Sequence, residues 1–229
     1  MVQLIPILAL ILLPLTQTAP IADNSMQKLK NSGLPVFFII GGPGAGKSTM
    51  CKMLAEKYGL SHISTGDLIR AEIKSGSPRS IEMAKYTSAG ELVPLDIVFE
   101  LLELAMVRKM DEGSKGFLID GYPRDTVQGD RFENELLPVT LAIYLEASDE
   151  VVVQRLLKRG EHSGRSDDNA EVIKNRLRTF HKTTAPVIDQ YTQKGKLVKI
   201  NAEQSIDDVY SDLSKVIEQN MNKGVRSHI

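Results

Sequence analysis

Between Gly41 and Thr49 the chain runs Gly41-Gly42-Pro43-Gly44-Ala45-Gly46-Lys47-Ser48-Thr49: a glycine, four residues, then Gly-Lys-Ser. Glycines in such a loop let the backbone approach an anion closely, and its N–H groups converge on that anion with the positive end of the following helix. Lys47 adds a point charge suited to β and γ phosphates, so the motif implies a bound nucleoside triphosphate. In isolation, a glycine-rich turn with an exposed lysine would read the same way. Its context argues otherwise, because the apolar run Val36-Phe37-Phe38-Ile39-Ile40 precedes the loop as a buried strand and a helical pattern follows. A phosphate loop alone does not name a reaction, since GTPases, ATPases and small-molecule kinases all use one.

Further basic residues read as a receptor for a second phosphate. Ser64-Thr65-Gly66-Asp67-Leu68-Ile69-Arg70 follows one strand candidate and Asp120-Gly121-Tyr122-Pro123-Arg124 follows another, so each sets a guanidinium one loop from a strand end. Arg155, Arg159 and Arg165 form a third cluster, with Arg176 on the next helix. Arg155 and Arg159 share a helix face, where like charges repel unless an anion lies between them. Arg159 and Arg165 also bracket a segment from Gly160 to Asn169, in which Gly160 and Gly164 would permit a lid to swing and shield a triphosphate from water. Asp120, ending its strand, is suited to orient Mg²⁺ through water; an N-cap for the following turn is the rival reading. None of His62, His162, His181 and His228 has a catalytic or metal-ligand spacing, so surface or packing roles are expected.

The elements that must position these residues alternate short apolar runs with longer amphipathic ones, which is βαβ architecture with ligands at the carboxyl ends of parallel strands. Strands are expected at Val36–Ile40, His62–Ser64, Gly116–Asp120, Leu141–Leu145 and Lys196–Ile200. Helices are expected at Met50–Tyr58, Asp67–Lys74, Ser80–Ser88, Leu95–Met110, Glu150–Lys158, Ala170–Tyr191 and Ile206–Gln219. The 229 residues, 42% hydrophobic, suffice for one α/β unit with small inserts. With 28 basic and 29 acidic residues the net charge is −1, so no global field draws the protein to nucleic acid, and any anion site is local. The single cysteine, Cys51, excludes an intramolecular disulfide framework and a thiol metal cluster, which fits a reducing compartment. An apolar run from Leu4 to Leu15 is shorter than the about 20 residues of a membrane span. Residues 1–32 are therefore set apart as an apolar extension or candidate signal peptide, with membrane association or export only on that account.

In register along the chain, the glycine loop, Ser64 to Arg70, Gly90-Glu91-Leu92-Val93-Pro94, Asp120 to Arg124, Gln154-Arg155-Leu156-Leu157-Lys158-Arg159-Gly160 and Ser163-Gly164-Arg165-Ser166-Asp167-Asp168-Asn169 resemble the short, cytosolic adenylate kinase family. The resemblance runs from about Val36 to Val216. It implies a phosphate-loop NTPase-type, doubly wound parallel five-stranded sheet over residues 33–229, with a small AMP-binding insert at about 64–93 and a short lid at about 160–169. It further implies reversible transfer, ATP + AMP = 2 ADP, by a cytoplasmic monomer with Mg²⁺ carried on ATP. ATP would be held by Gly42, Pro43, Gly44, Ala45, Gly46, Lys47, Ser48, Thr49, Arg159 and Gln204. AMP would be held by Thr65, Arg70, Glu91, Leu92, Val93, Gly121, Tyr122, Pro123, Arg124, Gln128, Arg165 and Arg176. Lys47, Arg124, Arg155, Arg159, Arg165 and Arg176 would act on the transferring group, with Arg155 in the transfer site.

Two residues depart from the family pattern. Ser48 replaces the usual glycine, so its hydroxyl can reach Mg²⁺, and Gln204 stands where glycine commonly contacts the triphosphate's base. The acceptor oxygen of a phosphate monoester, with a second pKa of about 6, is already ionised near neutrality and needs no general base. A UMP/CMP kinase is the nearest rival, and Thr65 with Gln128 favours AMP over it. A nucleotide-binding regulator without turnover is a rival of another class, disfavoured by the full set of charged site residues.

Overall fold

A computed structural model describes residues 23–165 and 167–221. Five strands, β1 (Val36–Gly41), β2 (Ser61–Ser64), β3 (Phe117–Asp120), β4 (Leu141–Glu146) and β5 (Leu197–Asn201), form one parallel sheet in the order β2-β3-β1-β4-β5. The helices among the described residues are α1 (Asp23–Lys30), α2 (Lys47–Tyr58), α3 (Thr65–Ser75), α4 (Ser80–Ala89), α5 (Leu95–Asp111), α6 (Thr126–Glu135), α7 (Asp149–Ser163), α8 (Ala170–Thr179), α9 (Ala185–Gln193) and α10 (Ile206–Asn220). None of them is long and apolar enough to cross a membrane.

Strand β1 shows why the sheet is buried on both faces. Val36, Phe38 and Ile40 enter one core with Leu29, Leu102, Phe132 and Tyr191, while Phe37 and Ile39 enter the other with Met50, Leu54, Leu213 and Ile217. Alternation of side chains about a pleated strand thus splits one apolar run between two helical layers. On the first face, Phe38 meets Phe132 edge-on at 4.9 Å and Tyr191 at 5.7 Å between ring centroids. Because β1 pairs with β3 on one side and β4 on the other, the chain reverses its direction of winding there. The crevice beyond β1 is the switch point at which such sheets bind ligands.

Three elements differ from the sequence-based expectation. Helix α1 lies within the segment set apart as an extension, yet Leu29 is 0% exposed and joins the core, so the folded unit begins ahead of residue 33. Helix α6 was not expected; Asp125 caps it, its carboxylate accepting from Gln128 N at 2.8 Å. The single helix expected over 170–191 is α8, a π-helical turn at Phe180–Thr184, then α9. Pro186 in the first turn of α9 has no N–H to donate, and the Ala185 N–H instead reaches the Phe180 carbonyl, five residues back.

Candidate functional site

The glycine loop turns from β1 into α2 at the switch point. Gly46 caps α2 with a left-handed φ of 88°, no side chain caps the helix, and no acidic residue stands in its first turn. Its positive end therefore faces an incoming anion without an internal competitor. Gly44 is required on two counts: its φ is +84°, and a Cβ there would lie 2.8 Å from the Val152 carbonyl oxygen on α7. Lys47 donates to the carbonyls of Gly41 at 2.9 Å and Gly42 at 2.8 Å. Burial lowers its pKa to about 8 against the opposing pull of Asp120, and Arg124 and Arg176 lower it further.

The second loop, after β3, faces the first across the sheet edge. Thr65, 2% exposed, donates its hydroxyl to the carbonyls of Gly121 at 2.9 Å and Asp120 at 3.3 Å. Gln128 accepts from Arg124 N at 2.8 Å, and Arg124 Nε donates to the Gly121 carbonyl at 2.8 Å. These bonds fix the loop's shape and aim the Arg124 guanidinium, whose pKa burial pushes down. Gly41, Pro43, Lys47, Gly90, Leu92, Gly121, Pro123, Arg124, Arg176 and Phe180 line one cleft.

Other expected contacts fall elsewhere. Tyr122, 1% exposed, points into the core and donates to the Gln128 carbonyl at 2.7 Å, and Val93 is likewise buried in the core. Glu91 is exposed, so of Glu91, Leu92 and Val93 it is Leu92 that lines the cleft. Arg70, on α3, pairs with Asp67. Arg155 does not join Lys47, Arg124 and Arg176: its Nη1 donates to the Ala202 carbonyl at 2.9 Å. This sets it against the β5–α10 loop, where Gln204 bonds Asn201 O at 3.0 Å and Asp212 at 3.4 Å.

The lid arginines are held by two carboxylates. Asp168, its side chain 0% exposed, receives a forked pair from Arg159 at 2.7 Å on both arms, and Arg176 Nη1 lies at 3.3 Å. Asp167 receives Arg165 at 2.9 and 2.7 Å and Arg176 at 2.9 Å, and these partners overcome its desolvation to hold its pKa down at about 2. Gly160, expected as a hinge, lies inside α7, and a Cβ on it would stand 2.7 Å from the Asp168 carbonyl. It permits close packing of the lid's base. Gly164, with φ of 62° and open space around it, ends α7.

Asp120 is buried at the end of β3, and the cap of α6 is Asp125, so the N-cap reading of Asp120 does not hold. His62 Nε2 lies 3.5 Å from the Asp120 carboxylate and has no hydrogen-bond partner among the described residues. Sequence reasoning gave His62 no role near the site; its position one residue from the buried Ile63 on β2 was the available signal. Among the described residues no group of three His, Cys, Asp or Glu side chains could hold a metal. One buried carboxylate near Lys47, with the partly exposed Ser48 in the first turn of α2, suits a cation held chiefly by phosphates and water.

Residues 39–196 match the family model described as adenylate kinase. The chain is 50% identical over 199 residues to adenylate kinase isoenzyme 1 of Caenorhabditis elegans, covering 87% of this chain and 93% of that protein. It is 51% identical over 187 residues to adenylate kinase isoenzyme 1 of Sus scrofa (82% and 95% covered) and 50% identical over 187 residues to that of Homo sapiens (82% and 95%).

Proposed function

The chain belongs to the adenylate kinase family and catalyses ATP + AMP = 2 ADP, and we propose that the cleft between the glycine loop and the β3 loop carries the transfer. The observation behind this reading is that Lys47, Arg124 and Arg176, from three separate elements, line one cleft at the carboxyl end of β1. Two anions that repel each other must be brought into line there, so the work is positioning and charge compensation.

The glycine loop and Lys47 hold the β and γ phosphates of ATP, with Arg159 from the lid side. Arg124, Arg165, Arg176 and Arg70 hold the AMP phosphate. Thr65 and Gln128 act through the Gly121–Arg124 loop that they brace. Gln204, on the β5–α10 loop, serves the triphosphate's base side, and Arg155 of α7 braces that loop through the Ala202 carbonyl. Mg²⁺, when bound with ATP, neutralises developing phosphate charge; Ser48 and Asp120 are the residues that would face it. The acceptor oxygen is ionised already, so no side chain need remove a proton. A cytoplasmic location fits the buried free thiol of Cys51.

The test is an assay of the purified protein with ATP and each monophosphate. AMP should exceed UMP and CMP by about tenfold or more in kcat/KM, roughly 1.4 kcal/mol of discrimination. Equal use of CMP would reject the assignment of Thr65 and Gln128 to AMP selection.

A further inference from the structure

Asp167 lies at the meeting point of the arginines assigned above to the acceptor phosphate. Its carboxylate takes a forked pair from Arg165 and a third contact from Arg176 at 2.9 Å. Arg70 and Arg124 are near enough that Arg70 stabilises the Asp167 charge and Asp167 stabilises that of Arg124. Two guanidiniums thus grip one carboxylate within the field of two more, and its side chain remains 20% exposed. Its neighbour is different in kind. Asp168 is fully enclosed, bound by both arms of Arg159, approached by Ser163 Oγ at 3.3 Å and packed under Gly160. Asp168 is part of the lid's framework, whereas Asp167 keeps part of its carboxylate open to solvent and shares Arg176 with the cleft lining.

A carboxylate and a phosphate offer a guanidinium the same forked pair of acceptor oxygens, and the phosphate carries more charge. We propose that Asp167 is an internal stand-in for the acceptor phosphate: it keeps Arg165 and Arg176 aligned before nucleotide binds and yields them to the phosphate oxygens when it does. The proposal rests on the assignment of Arg165 and Arg176 to that phosphate. Because Asp167 competes with substrate for the same donors, it weakens nucleotide binding and hastens release. It is a positioning residue and need not touch the reacting atoms.

The experiment measures AMP binding at equilibrium, over a series of KCl concentrations, for the wild type and for Asp167→Asn, Asp167→Ser and Asp167→Glu in the full chain. With the competitor gone, Asp167→Asn and Asp167→Ser should bind AMP about tenfold more tightly, equivalent to about 1.4 kcal/mol. Their affinity should also fall more steeply with salt, because binding no longer exchanges one anion for another. KM and kcat should fall together as release slows, and Asp167→Glu should return affinity toward the wild-type value. A merely structural role would loosen the arginines and weaken binding, so unchanged or weaker AMP binding in whichever neutral variant folds overturns the proposal. Arg176→Ala separates the two levels of the argument: undiminished AMP affinity there would remove the site assignment itself. Lost affinity in Arg176→Ala without tightening at Asp167 would remove the stand-in alone.

Discussion

Lys47 shows most directly how function strains a single residue. Its ammonium is enclosed by the loop it serves and has a pKa lowered to about 8 from 10.5. Below pH 8 the lysine is charged in both folded and unfolded chains, and the folded state bears the whole desolvation cost. As pH rises from about 8 to 10.5 the folded chain gives up the proton first, so this group's penalty is relieved and stability rises with pH across that window. A bound phosphate reverses the shift by supplying the opposite charge. ATP binding near pH 8 should therefore take up about half a proton, detected calorimetrically as a dependence of binding heat on buffer ionisation enthalpy. Lys47→Met should abolish that uptake, raise the thermal midpoint at pH 7, and cut kcat by about 100-fold or more. Near-normal turnover in this variant would remove Lys47 from the transfer site.

At the scale of elements, the lid is an extension of α7 whose base is locked by the Arg159–Asp168 fork and by the close approach of Gly160 to the Asp168 carbonyl. Gly164 itself is left-handed, with open space where a Cβ would stand. Movement should accordingly centre on Gly164 and spare Gly160. Gly160→Ala introduces a methyl where 2.7 Å is available, so the Asp168 backbone must shift and carry Arg159 and Arg176 with it. We expect kcat to fall by about tenfold or more with that variant. We also expect a bisubstrate analogue joining two adenosines through phosphates to protect the lid from proteolysis in the wild type but less so in Gly160→Ala. Equal protection and equal kcat would show that this contact tolerates change.

For the molecule as a whole, both faces of the sheet must stay covered for the two loops to face one another. The first face is covered by α5, α6 and α9 with Leu29 of α1 among them. Leu29→Ala should destabilise the protein by about 2–5 kcal/mol, read as a lowered denaturant midpoint, while kcat changes little because the residue is remote from the cleft. A midpoint within experimental error of the wild type would return α1 to the status of an appendage. The second face positions the cleft: Arg176, on α8, joins Lys47, on α2, because Ile173 and Leu177 of α8 and Met50 and Leu54 of α2 pack in one core against the sheet.

Local pattern in the amino-acid sequence was enough to establish the phosphate loop, the alternation of strands and helices, and the arginines flanking the strand ends. Each depends on residues within a turn or a strand of one another, where backbone geometry and side-chain period leave few choices. Helix α1 escaped because its apolar residues, Met26 and Leu29, acquire meaning only against α5 and the core they pack on. Tertiary structure alone decided that Tyr122 and Val93 turn inward, that His62 lies beside Asp120, and that Arg155 reaches Ala202. It also decided which aspartate holds which lid arginine, because those pairings follow from the register of parallel strands and the angle at which α7 and α8 meet, quantities set by packing across the whole sheet.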